Sequence, residues 1–366
     1  MKILQLIYSL ASGGAERFVV DLSNEMAAQG HEVYLCVLRD DSVKGQGFYK
    51  KAIASNVNYI NLKLIAGFRL NNIITIGKLI SKIKPDVVHC HQNLVNYVFP
   101  LTLFNLKVKF FYTVHDEACK EVGNKFEYLI RSFFFGLNKM NVITISRQTS
   151  NSFKNYYKID AYTEIFNGRL KPKPSIELNN VTDYINHLKK TYRFVFVHIA
   201  RCAEQKNQKM LVRVLNNLNQ GNFSIALLVI GNGYDSPLGL ELRAMSDNNI
   251  YFIGEKENIA DYLMVSDAFC LSSYHEGMPI TLIEAMACGC VPICTPVGGI
   301  VDTIEQGRTG FMSASLSDED YSSAIKEYLE NPDAINKNDL IELYNRRFSI
   351  AECTEKHIRL YSAKSL

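Results

Sequence analysis

The sequence predicts an α/β protein built from two doubly wound parallel-sheet domains, and three observations carry that expectation. Short β-rich runs alternate with helical patterns, the alternation stops over 168–191 and then restarts, and 366 residues exceed one ordinary core.

In the first half the strand candidates are Lys2–Tyr8, Glu32–Leu38, Asp86–His91, Val108–His115, Val142–Ile145 and Tyr162–Phe166. Helices are expected to begin near Ala15, Asn71, Leu94, Phe126 and Arg147, the first ending at Gly30. Such alternation builds a parallel sheet covered on both faces. Over 168–191 stand Gly168, Lys171-Pro172-Lys173-Pro174, an asparagine pair and several charges, which together read as a linker with no strand. Strands resume at Phe194–Ile199, Ser224–Ile230, Ile250–Ile253, Ala268–Leu271 and Val291–Cys294. Helices resume at Gln205–Leu218, Leu238–Met245, Ile259–Val265 and Ile280–Cys288. The tail reads as helical from Asp318 to about Glu330 and from Asp339 to about Tyr361. The expected domains are 1–168 and 169–348, each binding ligand at the carboxyl ends of its strands, with the cleft between them as the expected site.

Composition narrows the function classes. Hydrophobic residues at 47% and charged residues at 21% describe a soluble globular protein. A net charge of +3 is too mild for a nucleic-acid binder and suits a protein handling anionic ligands. The opening apolar run is too short for a signal peptide, and no stretch approaches the roughly 18–20 apolar residues of a membrane span. Nine cysteines without a CxxC pair read as reduced thiols in a cytoplasmic protein. Residues 125–139 form an amphipathic segment, read first as a helix buried against the first sheet and second as one lying on an anionic membrane.

The strongest chemical signal runs from His275 to Gly289, after the strand ending near Leu271. Pro279 suits the first position of a helix, which places Glu276 in the preceding loop and Glu284 in the second turn. Backbone N–H groups around Gly277 and Met278 then lie at the positive end of that helix, a ready anion site. Two carboxylates beside it suit a ligand offering hydroxyls as well as a diphosphate, as a nucleotide sugar does. A cap and a solvated helix face explain Glu276 and Glu284 equally well in isolation. Arg201 and Lys206 follow the strand Phe194–Ile199 and can neutralise a diphosphate, or else form a surface pair balancing Glu204. Gly231-Asn232-Gly233 ends another strand, as a close approach to ligand or an ordinary turn. Gly13 and Gly14 open the first helix, and His115 ends a strand where it can meet a sugar hydroxyl; structural roles suit His115, His89 and His91 as well. All five features fall at carboxyl ends of predicted parallel strands.

Together these residues resemble the retaining, GT-B-type glycosyltransferases of family 4. The resemblance runs through most of the chain. It includes Gly13-Gly14-Ala15-Glu16, His115-Asp116, Ile145-Ser146, Asn167-Gly168, Arg201 with Lys206-Asn207, Gly231-x-Gly233, and the Glu-x7-Glu of Glu276 and Glu284. It implies two Rossmann-like domains facing across a cleft, with a final helix (about 349–366) packing back on the first. It implies that Arg201 and Lys206 bind the donor diphosphate, that Glu276 meets the transferred sugar and that Glu284 holds the ribose. Gly13, Gly14, Gly231, Gly277, Met278 and Pro279 would line the donor site, His115 would contact the donor sugar, and backbone near Gly254 and Glu255 would read the base.

The expected reaction is transfer of a hexose-type sugar from a UDP- or GDP-sugar to a glycan or lipid-linked acceptor in surface polysaccharide synthesis, with possible peripheral contact with the membrane and no nucleic acid. No cofactor or metal is expected. Asp318-Glu319-Asp320 matches a DxD pattern, but acids opening a helix after Ser317 have a structural reason. Acceptor recognition is expected in the loops 40–56, 63–72 and 117–124. The rivals are a nucleotide-sugar epimerase of the same architecture and a catalytically silent glycan- or lipid-binding subunit.

Overall fold

The computed structural model describes residues 1–363 except 44, 66, 68, 105, 106 and 222. Residues 44, 66 and 68 of the expected acceptor loops, and 364–366 of the expected final helix, lie outside the described residues. The chain divides into two compact units, Met1–Leu170 with Phe348–Leu366, and Lys171–Arg347.

In unit 1 the strands are β1 (Lys2–Ile7), β2 (Glu32–Val37), β3 (Asn58–Asn61), β4 (Val87–His91), β5 (Lys109–Val114), β6 (Asn141–Thr144) and β7 (Thr163–Glu164). They form a parallel sheet ordered β3-β2-β1-β4-β5-β6-β7, whose order reverses direction at β1. The helices are α1 (Gly14–Ala28), α2 (Leu70–Ile83), α3 (Val95–Val98) continued by a 3-10 turn over Phe99–Leu103, α4 (Lys125–Gly136) and α5 (Arg147–Tyr157). Strand periodicity separates the two faces. Leu4, Leu6, Val88, Cys90, Phe110, Tyr112 and Val142 share one core with residues of α2, α3, α4 and α5. The alternate positions Gln5, His89, His91 and Thr113 form a buried polar row instead. Register puts Gln5 opposite His89, and His91 opposite Thr113.

Local chemistry sets the helix starts. Asn124 accepts from the Glu127 N–H at the head of α4, and Ser146 with Thr149 closes a capping box on α5.

Unit 2 holds α6 (Leu178–Leu188), β8 (Phe194–Ile199), α7 (Gln208–Gln220), β9 (Ile225–Ile230), α8 (Pro237–Met245), β10 (Ile250–Gly254), α9 (Ile259–Val265), β11 (Ala268–Leu271), α10 (Ile280–Ala287), β12 (Val291–Cys294), β13 (Phe311–Met312), α11 (Asp318–Glu330) and α12 (Lys337–Arg347). Its parallel sheet runs β10-β9-β8-β11-β12-β13.

The structure corrects the sequence expectation at five places. The supposed linker contains α6, held by buried Val181, Ile185 and Leu188 and by Asp261, which accepts from the Ser175 hydroxyl at 2.5 Å. Its apolar spacing of four and three was overlooked among the asparagines. The helix expected over 205–218 is interrupted because Asn207 takes a left-handed backbone at φ 48°. Strands β3 and β13 were missed; the first is only partly buried and the second has two residues. Pro279 is the N-cap of α10 rather than its first residue.

The tail, fifth, is two helices: α12 ends at Arg347 and α13 (Ile350–Ser362) starts at the Ser349 cap, whose side chain accepts from Glu352 N–H. The break is enforced by pairing, since the Arg169 N–H donates to Phe348 O (2.9 Å) and the Ile350 N–H to Arg169 O (3.0 Å). A Cβ on Gly168 would lie 2.5 Å from Cys353 Cβ, so only glycine lets the chain pass there. Arg169 is anchored by a buried 2.5 Å ion pair to Asp21 of α1, against which α13 also packs.

Candidate active site

The residues singled out in unit 2 gather at the carboxyl ends of β8, β9 and β11. Lys206 Nζ lies 2.6 Å from Glu276 Oε1, and the Ser273 hydroxyl donates to the same oxygen at 2.6 Å. Glu276 is only 7% exposed, which rules out a surface role. The loops carrying the pair are laced together. Gln205 Nε2 donates to His275 O (2.9 Å), the Tyr274 N–H to Gln205 O (2.8 Å) and the Ser272 hydroxyl to Lys206 O (2.9 Å). A cation that fails to pair with a surface acid and instead meets a buried carboxylate is a built element. Arg201, by contrast, is exposed, with its carbonyl held by Gln208 Nε2 at 2.8 Å.

Glu284 is 3% exposed within α10, so the solvated-face explanation fails for it too. The head of α10 carries no side-chain cap, which leaves first-turn N–H groups beside Glu276 open to an anion. Met278 and Pro279 are buried, and the Met278 thioether packs toward Gly299 and Thr303, so Met278 can offer a ligand only its backbone.

Glycine is required at two of these turns. Gly231 has φ +146°, and a Cβ there would fall 2.1 Å from Ala200 O, so the turn after β9 lies directly on the turn after β8. The Cys202 N–H seals the contact by donating to Asn232 O at 2.8 Å. Gly254 follows with φ +80°, and the Glu255 carboxylate accepts from Asn232 Nδ2 at 3.2 Å. Sequence inspection missed Gly298 and Gly299, which fold onto the Glu276 loop. A Cβ on Gly298 would sit 1.8 Å from Glu276 O, and the Gly299 N–H donates to Gly277 O at 2.5 Å. The signal was present as a glycine pair just after a strand, the feature already used at Gly13-Gly14.

In unit 1, Gly13 caps α1 with no side-chain bond, and Glu16 in its first turn accepts from Gln92 Nε2 at 2.8 Å. His115 follows β5. Its Nε2 lies 3.0 Å from His91 Nδ1, and His91 Nε2 lies 3.0 Å from Gln5 Oε1. With Gln5 presenting its carbonyl oxygen, His91 carries its proton on Nε2 and His115 donates from Nε2, leaving His115 Nδ1 as an acceptor. Burial, and then the nearby His357, push His115 down to about 3, so it stays neutral at physiological pH. Glu121 fixes the loop by accepting from the His115 N–H (2.9 Å), the Asp116 N–H and the Tyr112 hydroxyl.

Asp318 is engaged by both Arg213 Nε (2.7 Å) and Nη2 (2.8 Å), while Asp320 N–H is capped by Ser317. Among the described residues no group of three or more His, Cys, Asp or Glu is placed to hold a metal ion.

Two family models cover the two units in series: Glycosyltransferase Family 4 matches residues 12–169, and Glycosyl transferases group 1 matches 182–346. The chain belongs to the family 4 glycosyltransferases of GT-B fold. An uncharacterized glycosyltransferase of Methanocaldococcus jannaschii is 27% identical over 265 residues, covering 67% of this chain and 64% of that one. The capsular polysaccharide biosynthesis glycosyltransferase CapH of Staphylococcus aureus is 24% identical over 388 residues and all of both chains. The crystal structure of Anabaena HepE in complex with UDP and glucose superposes with TM-score 0.81 and 17% identity, covering 100% of each chain.

In this glycosyltransferase Gly298→Ala forces the Glu276 loop to move, since the clash is with backbone. A fall in stability of about 2–4 kcal/mol is expected, together with weaker ligand binding at the head of α10. Thermal melts with and without nucleotide would show it, and a variant melting like wild type would contradict the close approach.

Proposed function

We propose that this glycosyltransferase retains anomeric configuration and transfers a hexose-type sugar from a UDP- or GDP-sugar to a glycan or glycolipid acceptor, in the cytoplasm and in surface polysaccharide synthesis. The observation that carries the donor assignment is the 2.6 Å pair of Lys206 with the buried Glu276 carboxyl group, in the loop that leads to the uncapped head of α10. Breaking the anomeric bond builds negative charge on the diphosphate and positive charge on the sugar. Arg201, Lys206 and the α10 N–H groups supply preorganised positive potential to the leaving diphosphate, where electrostatic stabilisation acts most strongly. Glu276 is assigned to the transferred sugar and its hydroxyls, and buried Glu284 to the ribose. Gly231, Gly254 and Glu255 form the turns proposed to face the nucleoside. His115 is assigned a hydrogen bond to a sugar hydroxyl and Gly13-Gly14 proximity to the phosphates.

The names of similar proteins support the acceptor class and the nucleotide: capsular polysaccharide for CapH and UDP with glucose for HepE. Activity is proposed to need no metal, because Asp318 is already neutralised by Arg213. Incubating the purified chain with each nucleotide sugar, with and without lipid-linked oligosaccharide and with a chelator, tests the reading. Acceptor-dependent release of nucleoside diphosphate that survives the chelator is the expected result. A donor epimerised without acceptor would point to the epimerase alternative, and activity restored only by manganese would overturn metal independence.

A further inference from the structure

Helix α4 was expected to be buried, and its inner side is: Arg131 and Phe135 are enclosed, and Phe134 stacks on Phe99 at 4.9 Å between centroids. The outer side is not polar. Phe126 (72% exposed), Leu129 (55%), Phe133 (62%) and Leu137 recur at helical spacing as one open apolar stripe. The surface continues across neighbouring elements. Phe99 joins α4 to the 3-10 turn, which ends in exposed Leu103 and Phe104, the latter 80% exposed. A Cβ on Gly77 would lie 3.1 Å from Leu101, and Asn72 Nδ2 reaches the Tyr97 hydroxyl at 3.5 Å, so α2 lies alongside. It adds Leu70 (71%) and Ile74. Soluble proteins seldom leave this many large apolar side chains exposed on neighbouring elements without a partner.

Charge selects the partner. From 62 to 107 the chain carries Lys63, Arg69, Lys78, Lys82, Lys84 and Lys107 against one acid, Asp86, which accepts from the Lys2 N–H at 2.7 Å. From 122 to 159 the one acid is Glu127, held by Arg131 (2.6 Å), Asn96 (2.7 Å) and the Gly123 N–H (2.9 Å). Exposed Lys125 and Lys139 stand at the two ends of the stripe. On α2 the exposed Lys78 and Lys82 follow Leu70 and Ile74 at four-residue spacing, and an apolar face flanked by such cations matches the interface of an anionic bilayer. A second copy of the same face would bring like charges together.

We propose that unit 1 docks on anionic lipid through the outer surface of α2, the Phe99–Leu103 turn and α4. The inference rests on the proposed glycan or glycolipid acceptor for its purpose, while its evidence lies in unit 1 alone.

Flotation of the full chain with phosphatidylcholine vesicles, with and without phosphatidylglycerol, tests it beside two double variants, Phe126→Ser/Phe133→Ser and Lys125→Glu/Lys139→Glu. Wild type should float with the anionic vesicles, less so as salt rises, and each variant should bind about tenfold more weakly or worse. Both variants should keep the wild-type melting shift with nucleotide, which shows that they fold. No flotation of wild type, equal flotation on neutral vesicles, or variants that float like wild type would each overturn the proposal. So would a wild-type dimer in sedimentation velocity that the phenylalanine variant dissociates. Flotation as expected with no nucleotide shift in any form would uphold the bilayer surface while removing the donor reading.

Discussion

Lys206→Ala is expected to lower kcat by about 100- to 1,000-fold, the cost of removing one preorganised charge from a developing anion. The same change should destabilise unit 2 by about 3–5 kcal/mol, because it removes the 2.6 Å partner of a buried carboxyl group. The two effects separate in the double variant Lys206→Ala/Glu276→Gln. Neutralising the carboxyl should recover most of the stability, with the Ser273 hydroxyl still able to donate to the amide oxygen. Activity should stay low, since the cation is still absent. Denaturant midpoints and transfer rates for the three variants check both halves. A double variant regaining activity along with stability would reduce Lys206 to a structural counter-ion.

The second large effect is acid lability of unit 1. Buried His89, His91 and His357 and the half-buried His115 form one group with neighbouring centroids 4.2–5.7 Å apart, reinforced by the Tyr361 hydroxyl, 2.6 Å from His89 Nδ1. Burial comes first among the causes that lower all four; His115 falls to about 3 and His357 to about 4. A lowered folded value means that the unfolded chain takes up protons first. Stability from these groups is therefore complete above about pH 6.5 and is lost as pH falls from there toward 4. Each histidine contributes about 1.4 kcal/mol per pH unit, and four together reach on the order of 5 kcal/mol per unit. Urea midpoints at several pH values between 7.5 and 5 measure the slope. His357→Gln should flatten it by about one proton, because that variant has one fewer group to titrate. An unchanged slope would place the acid sensitivity elsewhere.

Much of this architecture was legible because its physical cause is local. A run such as Ile225–Ile230 is buried on both faces and shows as a continuous apolar segment in any context. The motif residues were legible for a similar reason, since glycines and charges at strand ends mark where a parallel sheet exposes its backbone. What escaped depends on distant partners. The break before Ser349 exists because Phe348 and Ile350 bond to Arg169, which no window of the tail contains. The bend at Asn207 serves a loop held by Ser272 across 65 residues. The polar row of Gln5, His89, His91 and Thr113 has strand periodicity, yet only the register of three strands shows that the side chains meet. Periodicity identified α4 as amphipathic but could not say whether its apolar residues outnumber the places available beneath it. Phe126, Leu129 and Phe133 are the surplus.

The donor assignment requires unit 2 to hold a nucleotide sugar at the loops of Arg201, Lys206 and Glu276. The most direct measurement is the melting temperature of the full chain against UDP-, GDP- and ADP-sugars, beside an Arg201→Ala/Lys206→Ala variant. Saturation at about 100 times the dissociation constant stabilises by about 2.7 kcal/mol, enough for a shift of several degrees. The account predicts such a shift with UDP- or GDP-sugars, limited to one of the two bases and absent in the variant. No shift with any donor, or one that the variant retains in full, would contradict it.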